Sequence, residues 1–409
     1  MSQIARFRSF RAADATLADN PTANGREVEM QIRRRRSSFW RVWGSALVSI
    51  GALVVIAAAA ALMTFAASAA EAQEIPRRHD GRPDLSGTYD IATLTPAQRP
   101  DRFGDRLELT QEEAKALAEH WSTNFDKDHA PSDPNREAPP KGGTGIYAPE
   151  FTGAAGKVGG YNAFFVDIGT GAFQLDGKYR TSIVTDPPDG RYPPLSELGQ
   201  ERSKRVAPFR HENTGTAWWL ELPVGPYDDH ELRPLAERCI LTRGASGPPS
   251  MPGMYNNLKT IVQTDTHVMI LIEWMHDVRI IRLDSEHLPD TIRNWSGDSI
   301  GWWEGDTLVV ETKNFREIPG SVTRGSRDMR VTERFSRIDA ENLRYEFTVE
   351  DPAYETAWSG EYPWPATSHK LYEYACHEGN YAFGNIMRGA RLLEREAIEQ
   401  GTSGGSTGD

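Results

Sequence analysis

The stretch GWWEGDTLVVET, residues 301–312, consists of two short runs on either side of Glu304-Gly305-Asp306. A run of four to eight residues rich in aromatic and β-branched side chains predicts a β-strand, and a glycine-containing step between two such runs predicts a tight hairpin turn. We therefore predict strands at 299–303 and 307–311, joined by a turn.

The same pattern extends along the chain in both directions. Short apolar runs separated by polar turns recur at 84–89, 163–167, 181–185, 218–222, 260–263, 268–274, 278–283, 329–337, 343–350 and 370–376. Many short strands at regular spacing are typical of antiparallel sandwiches and barrels. The chain is therefore predicted to be mainly β, an antiparallel meander that closes into a barrel or a curled sandwich, with a few short helices.

Helical signals are few. Thr110 and Glu113 form a T-x-x-E capping box in front of a helical pattern, and charge and periodicity predict further helices at 196–206 and 385–399. Residues 126–160 are rich in Pro, Gly and charge, which predicts a long surface loop. The predicted organisation is a leader at 1–72, a strand, helix and loop at 73–160, an antiparallel β domain at 161–400 and a disordered Gly/Ser tail at 401–409.

The N-terminus has the features of a signal sequence. A basic cluster at 33–36 precedes an uncharged apolar run at 42–70, and Ala70-Glu71-Ala72 is an A-x-A cleavage site. We expect a signal peptide that starts near Met30, cleavage before Gln73, and a periplasmic or secreted protein. The alternative is an uncleaved anchor, because the run exceeds the roughly 20 residues that span a membrane.

The charge of the remaining chain limits its partners. Without residues 1–72 it carries 37 Lys and Arg against 53 Asp and Glu, a net charge of −16. Such a surface repels phosphate backbones and anionic lipid. Nucleic acid is therefore not expected as a partner, and membrane contact is expected only through an uncleaved leader. The sequence gives no indication of the oligomeric state.

The chain has two cysteines, Cys239 and Cys376. In an oxidising compartment two cysteines most simply pair with each other, so a disulfide is predicted. The alternative is a catalytic thiol with His377 as its base. Adjacent residues of a strand point to opposite faces, which disfavours that pairing.

Several motifs together resemble a large group of exported bacterial proteins. They are TSIVTDPPDGR (181–191), ERC (237–239), GPP (247–249), GDSIGWWEGDTLVVET (297–312) and YEYACHEGNY (372–381). The resemblance covers most of residues 180–392 and implies export and a β-rich fold, without assigning catalytic residues. The opening strand also resembles the G-x-W start of lipocalin-like barrels, with Tyr89 in the place of Trp.

The strongest candidate for chemistry is EWMHDVR, residues 273–279. In an extended chain His276 shares an apolar face with Trp274, while Glu273 and Asp277 take the other face. An imidazole on an apolar wall near a carboxylate is suited to proton transfer. The alternative is a core histidine that hydrogen-bonds to a backbone carbonyl.

His377 is the second candidate, because a disulfide at the preceding residue would fix its position. Aromatic side chains suited to a ligand cavity are Trp274, Trp302, Trp303 and Tyr374. Trp302 and Trp303 are expected on opposite faces of their strand. His276 and His377 are predicted to face one interior and to act together as an acid–base pair.

The motifs of other enzyme classes are missing from the sequence. There is no G-x-S-x-G elbow, Walker loop or dinucleotide fingerprint, and no H-x-x-x-H, H-E-x-x-H or EF-hand spacing, so neither a cofactor nor a metal is expected. The predicted function is an exported cofactor-free enzyme, a lyase, isomerase or hydrolase, acting on a small, largely apolar or amphipathic molecule. The alternative is a lipocalin-like carrier of such a molecule that catalyses nothing.

Overall fold

A computed structural model describes residues 74–128, 135, 166–207, 211, 214–242, 244–317 and 326–404, and the structural statements below refer to these residues. The fold is dominated by one ten-stranded curled sheet, with strand order β1-β6-β7-β8-β9-β10-β11-β12-β13-β5. Its strands are β1 (Gly87–Asp90), β5 (Val184–Asp186), β6 (Leu258–Gln263), β7 (His267–Ile272), β8 (Asp277–Leu283), β9 (Asp298–Glu304), β10 (Thr307–Lys313), β11 (Arg330–Arg337), β12 (Asn342–Glu350) and β13 (Trp358–Pro365). A three-stranded sheet contains β2 (Glu108–Leu109), β3 (Gln174–Leu175) and β4 (Lys178–Arg180).

The large sheet confirms the predicted mainly β fold and takes the form of a curled half-barrel. Its neighbouring strands are antiparallel except for β8 and β9, which run parallel across the connection at 284–297. The two ends of the sheet approach each other, because the Thr367 N–H donates to the Thr88 carbonyl at 2.8 Å and Tyr89 forms a bridge with Ala366. Curling lets strands that are distant in sequence share one interior.

The core occupies the concave face of the half-barrel. Alternate residues of each strand point inward, and on β11 to β13 most of these are aromatic. The Tyr345 ring lies 5.0 Å from Phe335, 5.4 Å from Tyr362 and 5.0 Å from Trp364. Tilted and edge-on contacts at these spacings are favourable beyond simple burial. The interior is therefore held by interlocking aromatic rings.

The alternation of apolar and polar residues correctly predicted most strands of the large sheet. The hairpin between β9 and β10 forms as predicted, with a turn at Gly305-Asp306 in which Gly305 has φ of 60°. A left-handed φ is readily adopted by glycine. The predicted strand at 218–222 is wrong, since a 3₁₀ helix, Trp218–Glu221, lies there and packs on the C-terminal helix. Of the predicted strand at 163–167, residues 163–165 lie outside the described part of the chain, and Val166 and Asp167 are not in a strand.

The described part of the chain has four α-helices: α1 (Gln111–Asp128), α2 (Glu197–Val206), α3 (Cys376–Gly379) and α4 (Tyr381–Gly404). The capping box is confirmed, because the Glu113 N–H donates to Thr110 Oγ1 at 3.2 Å and the Thr110 N–H donates to Glu113 Oε2 at 2.9 Å. Helix α4 is longer than predicted and includes residues 401–404 of the expected tail, while 405–409 lie outside the described residues.

Two further predictions concern residues that the structure does not describe. The leader at 1–72 and most of the predicted loop at 126–160 lie outside the described ranges, although α1 continues through Asp128. Among the described residues, no helix has the length and the apolar character that crossing a membrane requires.

Candidate functional site

A buried loop lies on the concave face of the half-barrel. This interior loop, residues 244–251, includes the GPP motif, and all eight of its residues are buried. A buried loop needs hydrogen-bond partners for its backbone. Lys259 Nζ donates to the Ala245 carbonyl at 2.7 Å, the Ser250 N–H donates to the Tyr345 hydroxyl at 2.8 Å, and the Tyr362 hydroxyl donates to the Ser250 carbonyl at 2.8 Å. Three side chains of the sheet thus fasten the loop.

An ion pair lies beneath this loop. Arg279 is 6% exposed and Glu333 is fully buried, and the Arg279 guanidinium contacts both carboxylate oxygens of Glu333, one of them at 2.9 Å. Arg279 also donates to Ser299 Oγ at 3.1 Å and to Thr312 Oγ1 at 2.8 Å. A charge pair buried in the core needs such additional hydrogen bonds to offset the loss of water.

Tyr345 connects the ion pair to the interior loop, because its hydroxyl donates to Glu333 Oε1 at 2.7 Å while accepting from Ser250. Burial and the nearby Glu333 carboxylate raise the pKa of Tyr345 well above its ordinary value. The phenol therefore keeps its proton, and the ion-pair network supports the Ser250 end of the loop.

A second group of ionisable side chains lies at the end of the half-barrel where β8 begins. Lys259 is 1% exposed and Glu273 is buried, whereas Asp277 is half-buried. The strand register places Lys259 opposite Ile272 and Ile272 opposite Asp277, so that all three lie in one inward row. Glu273 follows directly, and its N–H donates to the Leu258 carbonyl at 3.1 Å. An amine and two carboxyl groups therefore converge here.

Within this group, the pKa of the Lys259 amine is unusually low for a lysine. Burial lowers the pKa of the Lys259 amine to about 7, although the carboxyl groups of Glu273 and Asp277 act in the opposite direction. Burial also raises the pKa of Asp277, against hydrogen bonds from the Val278 N–H and the Ser296 hydroxyl. Removing a charged group from water favours its neutral form. Near neutral pH the site therefore holds an amine able to accept a proton.

Aromatic rings form a ladder beside these groups. The ring of Tyr255 stacks on Trp274 at 4.3 Å and lies 6.4 Å from the nearly parallel ring of Tyr374. A side chain at Gly253 would place its Cβ 2.3 Å from the Trp274 ring, so only glycine fits there. Trp274 is 9% exposed, and its indole N–H finds no acceptor in the described part of the chain. The ladder is therefore a stack of apolar rings with one buried indole N–H that has no acceptor among the described residues.

His276 lies outside this interior, and its predicted place on an inward face is wrong. Met275 and His276 have φ of 61° and 37°, so the chain does not stay extended between β7 and β8 but reverses in a hairpin. The reversal leaves His276 exposed, with Nδ1 3.0 Å from the Tyr374 carbonyl oxygen. Glu273, expected on the other face of the strand from His276, is buried.

The predicted disulfide is confirmed between Cys239 and Cys376, whose Cα atoms are 5.7 Å apart. The predicted strand at 370–376 is wrong, because Cys376 begins helix α3. His377 is exposed on that short helix and does not share an interior with His276. A strand would have alternated its side chains between two faces, whereas a helical turn directs His377 outward.

The disulfide nevertheless fixes a segment over the site. This cover segment, residues 372–376, approaches Glu273, to whose Oε1 the Tyr372 N–H donates at 3.5 Å. It also carries Tyr374 of the aromatic ladder, which packs against the core. Asn380, just beyond it, donates to the Glu237 carbonyl at 2.8 Å. The ERC and YEYACHEGNY motifs are thus joined in space.

Trp302 and Trp303 do not belong to this site. They point to opposite faces as predicted, since Trp303 packs against the core and the Trp302 indole donates to Glu304 Oε1 at 3.0 Å. The parallel register pairs Leu283, at the end of β8, with Gly301. The two tryptophans therefore lie toward the end of the half-barrel opposite Asp277.

The structure thus brings together Glu273, Asp277, Trp274 and Tyr374 of the predicted residues, with His276 at the edge. Sequence reasoning missed Lys259 and Tyr255. Lys259 could have been recognised as a charged residue on the same face of its strand as the inward Ile261. Within the described ranges no group of three or more His, Cys, Asp and Glu side chains is arranged to hold a metal ion.

Comparison with models of protein families, with curated proteins and with solved structures finds no match. The disulfide is consistent with an oxidising, exported location.

Proposed function

We propose that the chain is an exported acid–base enzyme of the lyase, isomerase or hydrolase type, which uses its own side chains on a small, largely apolar molecule. The reacting groups are the Lys259 amine and the carboxyl groups of Glu273 and Asp277. His276 remains a candidate at the edge of the site, whereas an imidazole pair with His377 is no longer part of the proposal.

The observation that supports this proposal is the burial of Lys259 opposite two carboxyl groups. A general base works best when its pKa lies near the working pH, and burial lowers the pKa of Lys259 to about 7. Burial raises the pKa of Asp277, which favours the protonated form of the carboxyl group and is the direction required of a proton donor. Titratable groups with perturbed pKa values cluster at functional sites.

The aromatic ladder supports the substrate class. Tyr255, Trp274 and Tyr374 offer stacking surfaces for an apolar molecule. The Trp274 indole N–H would bind an oxygen atom of that molecule. The substrate proposed is therefore small and flat or ring-shaped, with at least one oxygen.

Export completes the proposal. The basic cluster, the apolar run and the A-x-A site of the leader support removal of residues 1–72 and a periplasmic or secreted mature protein. Mass spectrometry of the exported protein should place its N-terminus near Gln73. A protein that keeps residues 42–70 in a membrane fraction would show that the leader is an anchor.

The enzyme proposal is tested in two steps. A thermal-shift screen of small oxygen-bearing aromatic and alicyclic molecules identifies ligands, since a ligand that binds only the folded state raises Tm. Each ligand is then incubated with the protein and analysed for product. The Lys259→Met variant should lower turnover on the order of 10²-fold or more. Wild-type turnover should pass through a maximum with pH, because Lys259 must lose its proton and Asp277 must keep its own.

The matched control is Lys178→Met, since that lysine is 58% exposed and paired with Glu108. It should keep wild-type turnover. Ligands that bind without conversion would contradict the enzyme and support the carrier. Turnover that survives Lys259→Met would remove the amine from the mechanism.

A further inference from the structure

We infer that Lys259 is a nucleophile that forms an imine with an aldehyde or ketone, so that the substrate is a carbonyl compound. This inference rests on the proposed function, because it assigns a covalent role to an amine already placed in the acid–base site.

The Lys259 amine is hydrogen-bonded to a backbone carbonyl and not to a carboxylate of the described residues. Lys259 Nζ donates to the Ala245 carbonyl at 2.7 Å, and within the described part of the chain no carboxylate lies within 4.0 Å of it. A lysine in direct contact with a carboxylate keeps its proton, whereas a desolvated amine without that contact releases it. Burial lowers the pKa of Lys259 to about 7, so the nucleophilic neutral form is available at neutral pH.

Two carboxyl groups that could donate and accept protons lie near Lys259 in the sheet. Lys259 and Asp277 lie on either side of Ile272 in one inward row, two strand spacings apart, or about 10 Å between backbones. Glu273 is next to Ile272 in sequence and acts electrostatically on the same amine. Lys259 and Asp277 therefore share an inward row with Ile272, and Glu273 lies next to that row.

The chemistry balances with these groups alone. The amine nitrogen attacks the carbonyl carbon, the C–N bond forms, and the carbonyl oxygen takes a proton from Asp277. The nitrogen then gives a proton to Glu273, which yields a neutral carbinolamine. The C–O bond breaks as Glu273 returns the proton to the departing oxygen, and water and a protonated imine result. The imine draws electrons from the adjacent carbon, as a lyase or isomerase requires.

Access to the amine requires the interior loop to move. The Ala245 carbonyl must leave Lys259 before a substrate carbonyl can replace it. A purely structural role makes a different prediction, namely that Lys259 only fastens the loop and remains unreactive. Trapping of the imine separates the two roles.

The experiment uses the disulfide-intact mature protein, benzaldehyde as the probe and cyanoborohydride, which reduces the protonated imine to a stable benzyl amine. Peptide mass spectrometry then measures the label at each lysine. At pH 7 we expect Lys259 to be labelled at least 10-fold faster than Lys178, because the lowered pKa of Lys259 makes its neutral, nucleophilic amine available. Labelling of Lys259 should rise with pH up to about pH 7, where the amine loses its proton.

Two variants sharpen the result. Lys259→Arg should remove the fast label, since arginine forms no such imine, and Asp277→Asn should slow labelling of Lys259 while Lys178 stays unchanged. The pH dependence in the wild-type protein needs no variant and holds even if a variant fails to fold. Labelling in urea confirms that the peptide carrying Lys259 is detected.

The inference is overturned if Lys259 in the native protein is labelled no faster than Lys178, although it is labelled in urea. If Lys259→Met still abolishes turnover of a screened ligand, the acid–base proposal survives that result. If turnover is also unaffected, both proposals are wrong. Fast labelling of Lys259 without any ligand that is converted would support the nucleophile while leaving the enzyme proposal contradicted.

Discussion

Replacing Lys259 with methionine should change the stability of the protein in a way that depends on pH. The buried amine has a pKa of about 7, against an ordinary value of 10.5 that it regains on unfolding. Between these values the unfolded chain binds a proton that the folded chain does not, so stability rises with pH. The folded pKa is lowered, and the penalty for burying the amine is therefore full below pH 7 and disappears toward pH 10.5.

The magnitude follows from the size of the pKa shift. One unit corresponds to about 1.4 kcal/mol, so the wild type should gain about 3 kcal/mol from this group between pH 7.5 and pH 9.5. Methionine has no proton to bind, but it leaves the buried Ala245 carbonyl without its donor, at a cost of about 1–3 kcal/mol. The variant should thus be more stable than the wild type at pH 7.5 and less stable above about pH 9.

Urea unfolding at pH 7.5, 8.5 and 9.5, followed by tryptophan fluorescence with the disulfide intact, measures both curves. The Lys178→Met variant is the control and should follow the wild-type slope, because that side chain is 58% exposed. Parallel curves for the wild type and Lys259→Met would refute the reasoning, since they would mean that Lys259 has the same pKa in both states.

Two further predictions concern cross-links between distant parts of the fold. Thiol titration of the unreduced, denatured protein should find no free thiol. Cys239→Ser and Cys376→Ser should each lower the free energy of unfolding by up to about 4–5 kcal/mol, with little further loss in the double variant, because either change opens the same loop. Two free thiols, or additive losses, would contradict the bridge. Arg279→Met should lower the free energy of unfolding by about 3–5 kcal/mol in urea titrations, since it leaves Glu333 as an unpaired buried charge. The double variant with Glu333→Leu should recover part of that loss, and a loss equal to the sum of the two single-variant losses would show that the pair is not coupled.

The strands of the large sheet could be predicted because inward apolar side chains alternate with polar ones. The hairpin around Gly305 also carried a turn signal. Strand β13, WSGEYPWP, was missed although its inward residues alternate too, because Pro363 and Pro365 argue against a strand. Both prolines lie beyond the short pairing with β5, which involves only Ser359 and Gly360. Their missing N–H groups therefore interrupt no ladder on that side.

The predicted strand at 370–376 is wrong although its residues alternate as a strand requires. Its alternation, LYEYAC, is sufficient for a strand but finds no neighbour in the sheet, because the disulfide directs Cys376 toward Cys239. Local periodicity describes which residues could share a face. It does not say whether a partner strand is present.

The buried charges of the interior were visible in the sequence as exceptions to the pattern. Lys259 is in phase with Ile261, and Arg279 is in phase with Ile281, so each lies on an inward face that is otherwise apolar. Glu333 occupies the same kind of position on β11. A charge at such a position is costly unless it is paired or functional. The sequence does not show which charges pair, because Arg279 and Glu333 meet only across the curled sheet.

The placement of the candidate site depends on the turn between β7 and β8. An extended chain would put Ile272 and Asp277, five residues apart, on opposite faces, but a hairpin that pairs them puts both on the same face. The left-handed φ angles of Met275 and His276 make that reversal possible. Histidine adopts such angles more often than most residues, whereas methionine has no such preference. Because Lys259 joins from the adjacent strand, all three groups proposed to react come from one local meander, whereas His377 lies on a helix tied to the chain by a distant disulfide. The amine is therefore better placed than either imidazole for chemistry with Glu273 and Asp277.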